Sequence, residues 1–82
     1  MKTPAWVVKK AIPRDDHTIV LVFADGQKKL YDARSILEKE MYRPLRSIPF
    51  FLTGRVEYDT VVWSEEIDIA PESLYEDSTA ME

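Results

Sequence analysis

The 82-residue chain contains no cysteine, two glycines and one histidine, and these shortages exclude several kinds of chemistry. Without cysteine there is no thiol nucleophile, no thiolate zinc site and no disulfide, which fits a reducing cytoplasm. Gly26 and Gly54 lie too far apart for a Walker A loop or a dinucleotide-binding fingerprint. We therefore predict no cofactor, no bound metal and no small-molecule substrate.

Long apolar stretches are also missing. The longest apolar run covers residues 19–24, whereas a membrane-spanning helix needs roughly 20 residues. The first residues include no apolar stretch of signal-peptide length. The sequence therefore predicts a cytoplasmic protein that does not engage a membrane.

The composition is that of a chain that buries a core. Hydrophobic residues make up 45% of it and charged residues 32%, which argues against general disorder. A chain this short forms one domain. We predict a single domain over residues 1–76 and a frayed acidic tail over residues 77–82.

The first half of the chain has a strand pattern. Residues 5–12 are rich in valine and end before a proline, and residues 18–24 are almost all β-branched or aromatic. Both faces of this second segment are apolar, which predicts a central strand buried on each side. The Asp25-Gly26 pair predicts a tight hairpin turn into residues 27–31, whose lysines are typical of an edge strand.

The second half combines short helices with a second hairpin. Asp32 is a suitable N-cap for a helix over residues 33–40. Residues 55–63 predict a hairpin turning near Asp59, while residues 67–69 fit either a further strand or a loop. The predicted fold class is α+β, with a small, mostly antiparallel sheet of two hairpins and one or two short helices.

Possible catalytic or metal-binding residues have simpler explanations. His17 is surrounded by charged residues in a turn and has no evident nucleophile or ligand set, so we interpret it as an exposed turn residue. Glu65, Glu66 and Asp68 lack the glycine and the spaced oxygen ligands of a calcium loop. We predict a solvated acidic face and no enzymatic activity.

The charges are unevenly distributed along the chain. Every Lys and Arg lies within residues 1–55, and residues 56–82 contain nine acidic residues and no base. A basic sheet face that uses Trp6 for stacking would allow weak nucleic-acid binding. The alternative is that the lysines only protect a sheet edge, and a pI near 4.9 argues against strong binding to phosphates. The lysines concerned are Lys9, Lys10, Lys28 and Lys29.

The aromatic content is high for so short a chain, with nine Phe, Trp and Tyr residues. Most of these rings belong to the core, but a small domain cannot cover all of them. Trp6 on a terminal strand and Tyr42 in a charged loop are the best candidates for exposed interaction anchors.

The order of these segments resembles the bacterial domain of unknown function 2442 over residues 6–75. The most specific parts are Phe23-Ala24-Asp25-Gly26, Asp32, and the ending that runs from Trp63 through Asp68-Ile69 and Pro71-Glu72 to Leu74-Tyr75. The resemblance implies a small α+β domain without established catalytic residues. Some members resemble the front half of helix-turn-helix proteins, and others are encoded beside a small protein in toxin–antitoxin-like arrangements.

Together these observations predict a non-catalytic protein-interaction module, antitoxin-like or regulatory, that uses aromatic residues and an unpaired strand edge. The expected partner is another small protein or a second copy of the chain. Because this chain has no helix-turn-helix, contact with nucleic acid would be indirect, or weak through the four lysines.

Overall fold

The computed structural model describes residues 4–81, and its strands form two antiparallel sheets. The first sheet has the order β1-β2-β3-β7, and the second has the order β4-β5-β6. The predicted α+β class is confirmed, but the two hairpins lie in separate sheets. The strands are β1 (Val8–Pro13), β2 (Thr18–Phe23), β3 (Lys28–Asp32), β4 (Arg55–Glu57), β5 (Thr60–Ser64), β6 (Ile67–Ile69) and β7 (Thr79–Ala80).

The helices are short. Ala33–Ile36 and Glu40–Arg46 are 3-10 helices, and α1 (Ile48–Phe51) and α2 (Pro71–Asp77) are α-helices. Asp32 caps the first 3-10 helix through its side chain, as predicted, but the predicted helix over 33–40 ends after one turn. A segment of that length is too short to sustain an α-helix by itself, and i→i+3 bonds suit such short pieces.

The two hairpin turns differ in sequence and in backbone conformation, because the first has positive φ at Gly26 alone and the second at two consecutive residues. Gly26 has a φ of 89°, and the carboxylate of Asp25 accepts a 2.9 Å hydrogen bond from the Gln27 amide. In the second hairpin Tyr58 and Asp59 have φ values of 53° and 65°. Positive φ at both central residues is the requirement of a type I′ turn, which matches the twist of paired strands. Both predicted hairpins are confirmed.

The core lies against one face of the first sheet. Ile19, Leu21 and Phe23 are fully buried there, and they pack with residues of the second sheet and the helices. Val20 and Val22 on the opposite face are only half-buried. The prediction that β2 is buried on both faces is therefore wrong, because the core cluster occupies one side of this sheet. We call the opposite side the outer face.

The C-terminal segment has a defined place in the fold. Residues Thr79–Ala80 pair with Leu30 and Lys29, and the amide of Met81 donates to the carbonyl of Lys28 at 2.9 Å. The predicted frayed tail is thus corrected over its described part, because the backbone of β3 offers hydrogen-bonding groups to a further strand. Glu82 and residues 1–3 of the predicted domain lie outside the described residues.

Candidate interaction surface

An aliphatic row crosses three strands on the outer face. Ile12 of β1 and Leu30 of β3 each lie directly opposite Val20 of β2. Residues opposite each other in antiparallel strands project from the same face. Ile12 is 46% exposed, and Val20 and Leu30 are half-buried. We call these three residues the aliphatic row; its side chains remain accessible to a partner.

A second row, two residues along β2, combines an apolar centre with basic ends. Val22 lies opposite Lys10 of β1 and Lys28 of β3, and both lysines are exposed. Their Cα atoms are about 10 Å apart, since two strand spacings separate them. A β-bulge between Val8 and Lys10 inserts the exposed Lys9 next to this row. We call Lys10, Val22 and Lys28 the lysine row, and both rows together the outer patch.

The remaining candidate lysine lies on the other face. Lys29 is opposite Leu21, a core residue, so the alternation of the strand turns it away from the outer patch. Its Nζ lies 3.9 Å from the centroid of the Tyr75 ring and donates to the Tyr75 carbonyl at 2.9 Å. The predicted basic patch therefore consists of Lys9, Lys10 and Lys28, while Lys29 holds α2.

The two predicted aromatic anchors are partly covered. Tyr42 is half-buried against the core, and its hydroxyl donates to the Asp68 carbonyl at 3.0 Å. Burial raises the pKa of this phenol. The expectation of an exposed Tyr42 is corrected, because the 3-10 helix places the ring beside β6. Trp6 is half-buried as well, outside the described core cluster.

Tyr58 was not among the predicted anchors, yet it is 89% exposed at the tip of the second hairpin. The carbonyl of the next residue, Asp59, accepts a 3.0 Å hydrogen bond from the Val8 amide. The tip therefore lies beside the start of β1, close in sequence to Lys9. The signal available in the sequence was the absence of glycine from this turn. Tyr58 itself therefore occupies a turn position with positive φ, which a bulky residue rarely adopts.

The strand edges are partly occupied. The Tyr42 hydroxyl donates to the Asp68 carbonyl of β6, which is an edge strand of the second sheet. In the first sheet, β7 covers part of β3, and Pro13 at the end of β1 has no amide to donate. The side chains of the outer patch, in contrast, are exposed or half-buried.

His17 connects two parts of the fold. Its Nε2 lies 2.8 Å from the Leu45 carbonyl, and its ring meets the Phe51 ring edge-on at 4.9 Å. The residue is half-buried with a φ of 64°, so the prediction of an exposed turn residue is corrected. Nearby, hydrogen bonds from Thr18 lower the pKa of the Asp16 carboxyl. These interactions stabilise the β1–β2 turn against the helical segment.

The acidic candidates remain apart from the outer patch. Glu65 and Glu66 are exposed in the turn between β5 and β6. Within residues 4–81, three or more acidic or histidine side chains never gather closely enough to hold a metal ion, and no cavity is found.

None of the helices described between residues 4 and 81 is both long and apolar enough to cross a membrane.

The fold and its half-exposed sheet face define a small α+β domain built from two antiparallel sheets. The chain belongs to the family described as protein of unknown function DUF2442, whose profile matches residues 8–80. The resemblance seen in the sequence is thereby confirmed. The chain matches no curated protein and no solved structure.

Two of the sequence segments that carry the resemblance contact each other. The Tyr75 hydroxyl donates to the Asp25 carboxylate at 2.9 Å, and the Phe23 and Tyr75 rings meet edge-on at 4.9 Å. These bonds join the first hairpin turn to α2. The hydrogen bond from the Gln27 amide, together with that of Tyr75, lowers the pKa of the Asp25 carboxyl.

Proposed function

We propose that this chain is a non-catalytic protein-interaction module, antitoxin-like or regulatory, which binds another small protein through the outer patch. The observation that carries the proposal is the aliphatic row on a sheet face that the described core does not use. Val22, at the centre of the lysine row, extends this apolar surface. A contiguous apolar surface of this kind on a small domain is a typical place for a protein partner.

The energetics favour a protein partner on this face. Burying apolar surface contributes about 25 cal/mol per Å², and the row already has side chains aligned across three paired strands. A sheet is a rigid platform, so little conformational entropy is lost when a partner binds. The lysines flank the apolar centre, which is the arrangement of an interface with a polar rim.

The test is a comparison of two aspartate variants in affinity purification from the native organism. Ile12 and Leu52 are almost equally exposed, at 46% and 45%, but Leu52 lies after α1 and outside the outer patch. We expect Ile12→Asp to weaken capture of a stoichiometric partner at least tenfold, while Leu52→Asp retains it. Retention by both variants, or equal loss from both, would contradict the proposal.

A second candidate function is weak binding of single-stranded nucleic acid. It is favoured by the exposed Lys10 and Lys28 on one sheet face and by the exposed Lys9 in the bulge beside Lys10. Three phosphate contacts give a salt dependence with a slope of about −2 in log K against log salt. This binding would survive Ile12→Asp and be lost in Lys10→Glu/Lys28→Glu, which separates it from the protein-binding function.

A further inference from the structure

The outer patch is chemically asymmetric, because its two rows differ in polarity and charge. The aliphatic row and the lysine row run parallel across the strands and are about 7 Å apart, since two residues of an extended chain separate them. Apolar contact is available on one side and positive charge on the other. A ligand that contacts both rows must therefore present apolar groups and negatively charged groups side by side, at a similar separation.

The spacing within each row matches one kind of ligand. Neighbouring strands are about 4.8 Å apart, and successive turns of an α-helix are about 5.4 Å apart. A helix lying across the strands would place apolar residues at i, i+3 or i+4, and i+7 over Ile12, Val20 and Leu30 in turn. Acidic residues on its adjacent face, about two turns apart, would reach Lys10 and Lys28.

We propose that the outer patch binds an acidic amphipathic helix of a partner protein, with its apolar stripe on the aliphatic row and its carboxylates on the lysine row. The inference rests on the proposed function and specifies the chemistry of the partner. The partner helix is acidic because the exposed lysines supply positive charge on both sides of Val22, and charge complementarity requires negative charge opposite them.

A second copy of this chain is a poorer occupant. Two outer patches placed face to face would bring each lysine row against either the other lysine row or the aliphatic row, and neither supplies negative charge to the lysines. The described acidic helix of this chain, α2, has its apolar side already in use, because Leu74 is fully buried and Tyr75 is bonded to Asp25. The partner is therefore a different protein.

The test uses three synthetic helical peptides of equal length and the 15N-labelled protein. The first peptide has a leucine stripe flanked by glutamates, the second has lysines in place of the glutamates, and the third keeps the glutamates but replaces the leucines with alanine. We expect the first peptide to bind at least tenfold more tightly than the other two. Its addition should shift the amide resonances of Ile12, Val20 and Leu30.

Charge reversal provides the decisive variant. In Lys10→Glu/Lys28→Glu we expect the preference to invert, so that the lysine peptide binds more tightly than the glutamate peptide. The matched control is Lys39→Glu/Arg43→Glu, which removes the same charge from exposed positions outside the outer patch and should leave the preference unchanged. Because all four side chains are exposed, these variants are expected to fold.

Several results would overturn the inference. They are equal binding of the glutamate and lysine peptides, resonance shifts outside the outer patch, and tighter binding of a single-stranded oligonucleotide to the same residues. Concentration-dependent dimerisation that shifts the same resonances would assign the surface to self-association. If the native partner is lost in Ile12→Asp but retained in Lys10→Glu/Lys28→Glu, the proposed function stands and the acidic helix is wrong.

Discussion

At the scale of single residues, the interior depends on a close contact between Trp63 and Gly54. The Trp63 indole donates to the Phe51 carbonyl at 2.8 Å and stacks on the Phe51 ring. A Cβ atom at Gly54 would lie only 2.7 Å from Nε1 of that indole. The glycine is therefore needed for close approach of the ring rather than for a positive φ.

The Gly54→Ala substitution should consequently destabilise the protein. We expect a loss of about 2 kcal/mol, because overpacking a filled site costs about 1–3 kcal/mol. Urea denaturation followed by tryptophan fluorescence measures it. Gly26→Ala is the comparison: a Cβ there meets no atom within 4 Å, although its φ of 89° is strained for alanine, so we expect a smaller loss of about 1 kcal/mol. Unchanged stability of Gly54→Ala would contradict the packing described.

Tyr31 makes stability sensitive to alkaline pH. Burial raises its pKa to about 12, whereas an unfolded tyrosine titrates near pH 10. The stabilisation by the neutral phenol is complete below pH 10 and is lost as the pH rises from about 10 to 12. We expect Tyr31→Phe to flatten the decline of the unfolding free energy in this window, as measured by chemical denaturation at several pH values. An identical decline in the variant would show that other groups cause it.

At the scale of elements, turns with strong local signals were predictable and long-range pairings were not. The Asp25-Gly26 turn was read from two residues because its conformation is local. The Thr79–Ala80 pairing with β3 joins segments far apart in sequence, and two residues carry no strand pattern. The 3-10 geometry after Asp32 was missed because capping signals do not distinguish it from an α-helix.

The interaction surface was likewise only partly predictable from the sequence. The basic lysines were identified from the sequence, but the sharing of Val22 by Lys10 and Lys28 depends on the strand register and on the bulge at Lys9. The role of Lys29 depends on where α2 packs. The exposure of the aliphatic row depends on the core forming on only one side of the sheet, which local pattern does not determine.

The second hairpin offers a stabilising substitution. Tyr58 and Asp59 adopt positive φ, which Asn and Gly accept at lower cost. We expect Tyr58→Asn/Asp59→Gly to raise the free energy of unfolding by about 1 kcal/mol, because a left-handed conformation costs an ordinary residue about 1–2 kcal/mol. The measurement is the urea midpoint. The Asp59 carbonyl that accepts from Val8 is retained in the variant; a lower midpoint would mean that the tyrosine side chain stabilises the turn.

At the scale of the whole molecule, the C-terminal segment joins distant parts of the first sheet. Tyr75 contacts Asp25, Phe23 and Lys29, and β7 continues the sheet beyond β3. Hydrogen bonding to Asp25 raises the pKa of the Tyr75 phenol. The position of α2 is thus coupled to the first hairpin turn.

Removing the Tyr75 hydroxyl should loosen this coupling. We expect Tyr75→Phe to lower the unfolding free energy, because the hydrogen bond to Asp25 is lost, and to speed amide hydrogen exchange in α2 and β7. The control is Tyr58→Phe, since Tyr58 is 89% exposed. Equal exchange rates in the two variants would argue against the coupling.

The pairing of β7 with β3 also suggests how the chain can be divided. Strands β1 to β3 form one consecutive unit and β4 to β6 another, and the segment between them includes the exposed residues 38–41. A cut in that segment would leave β3 in one fragment and β7 in the other, with the Val8 amide and the Asp59 carbonyl as a second connection. We expect the two fragments to reassemble when mixed, so that the domain could serve as a two-part reporter of molecular proximity.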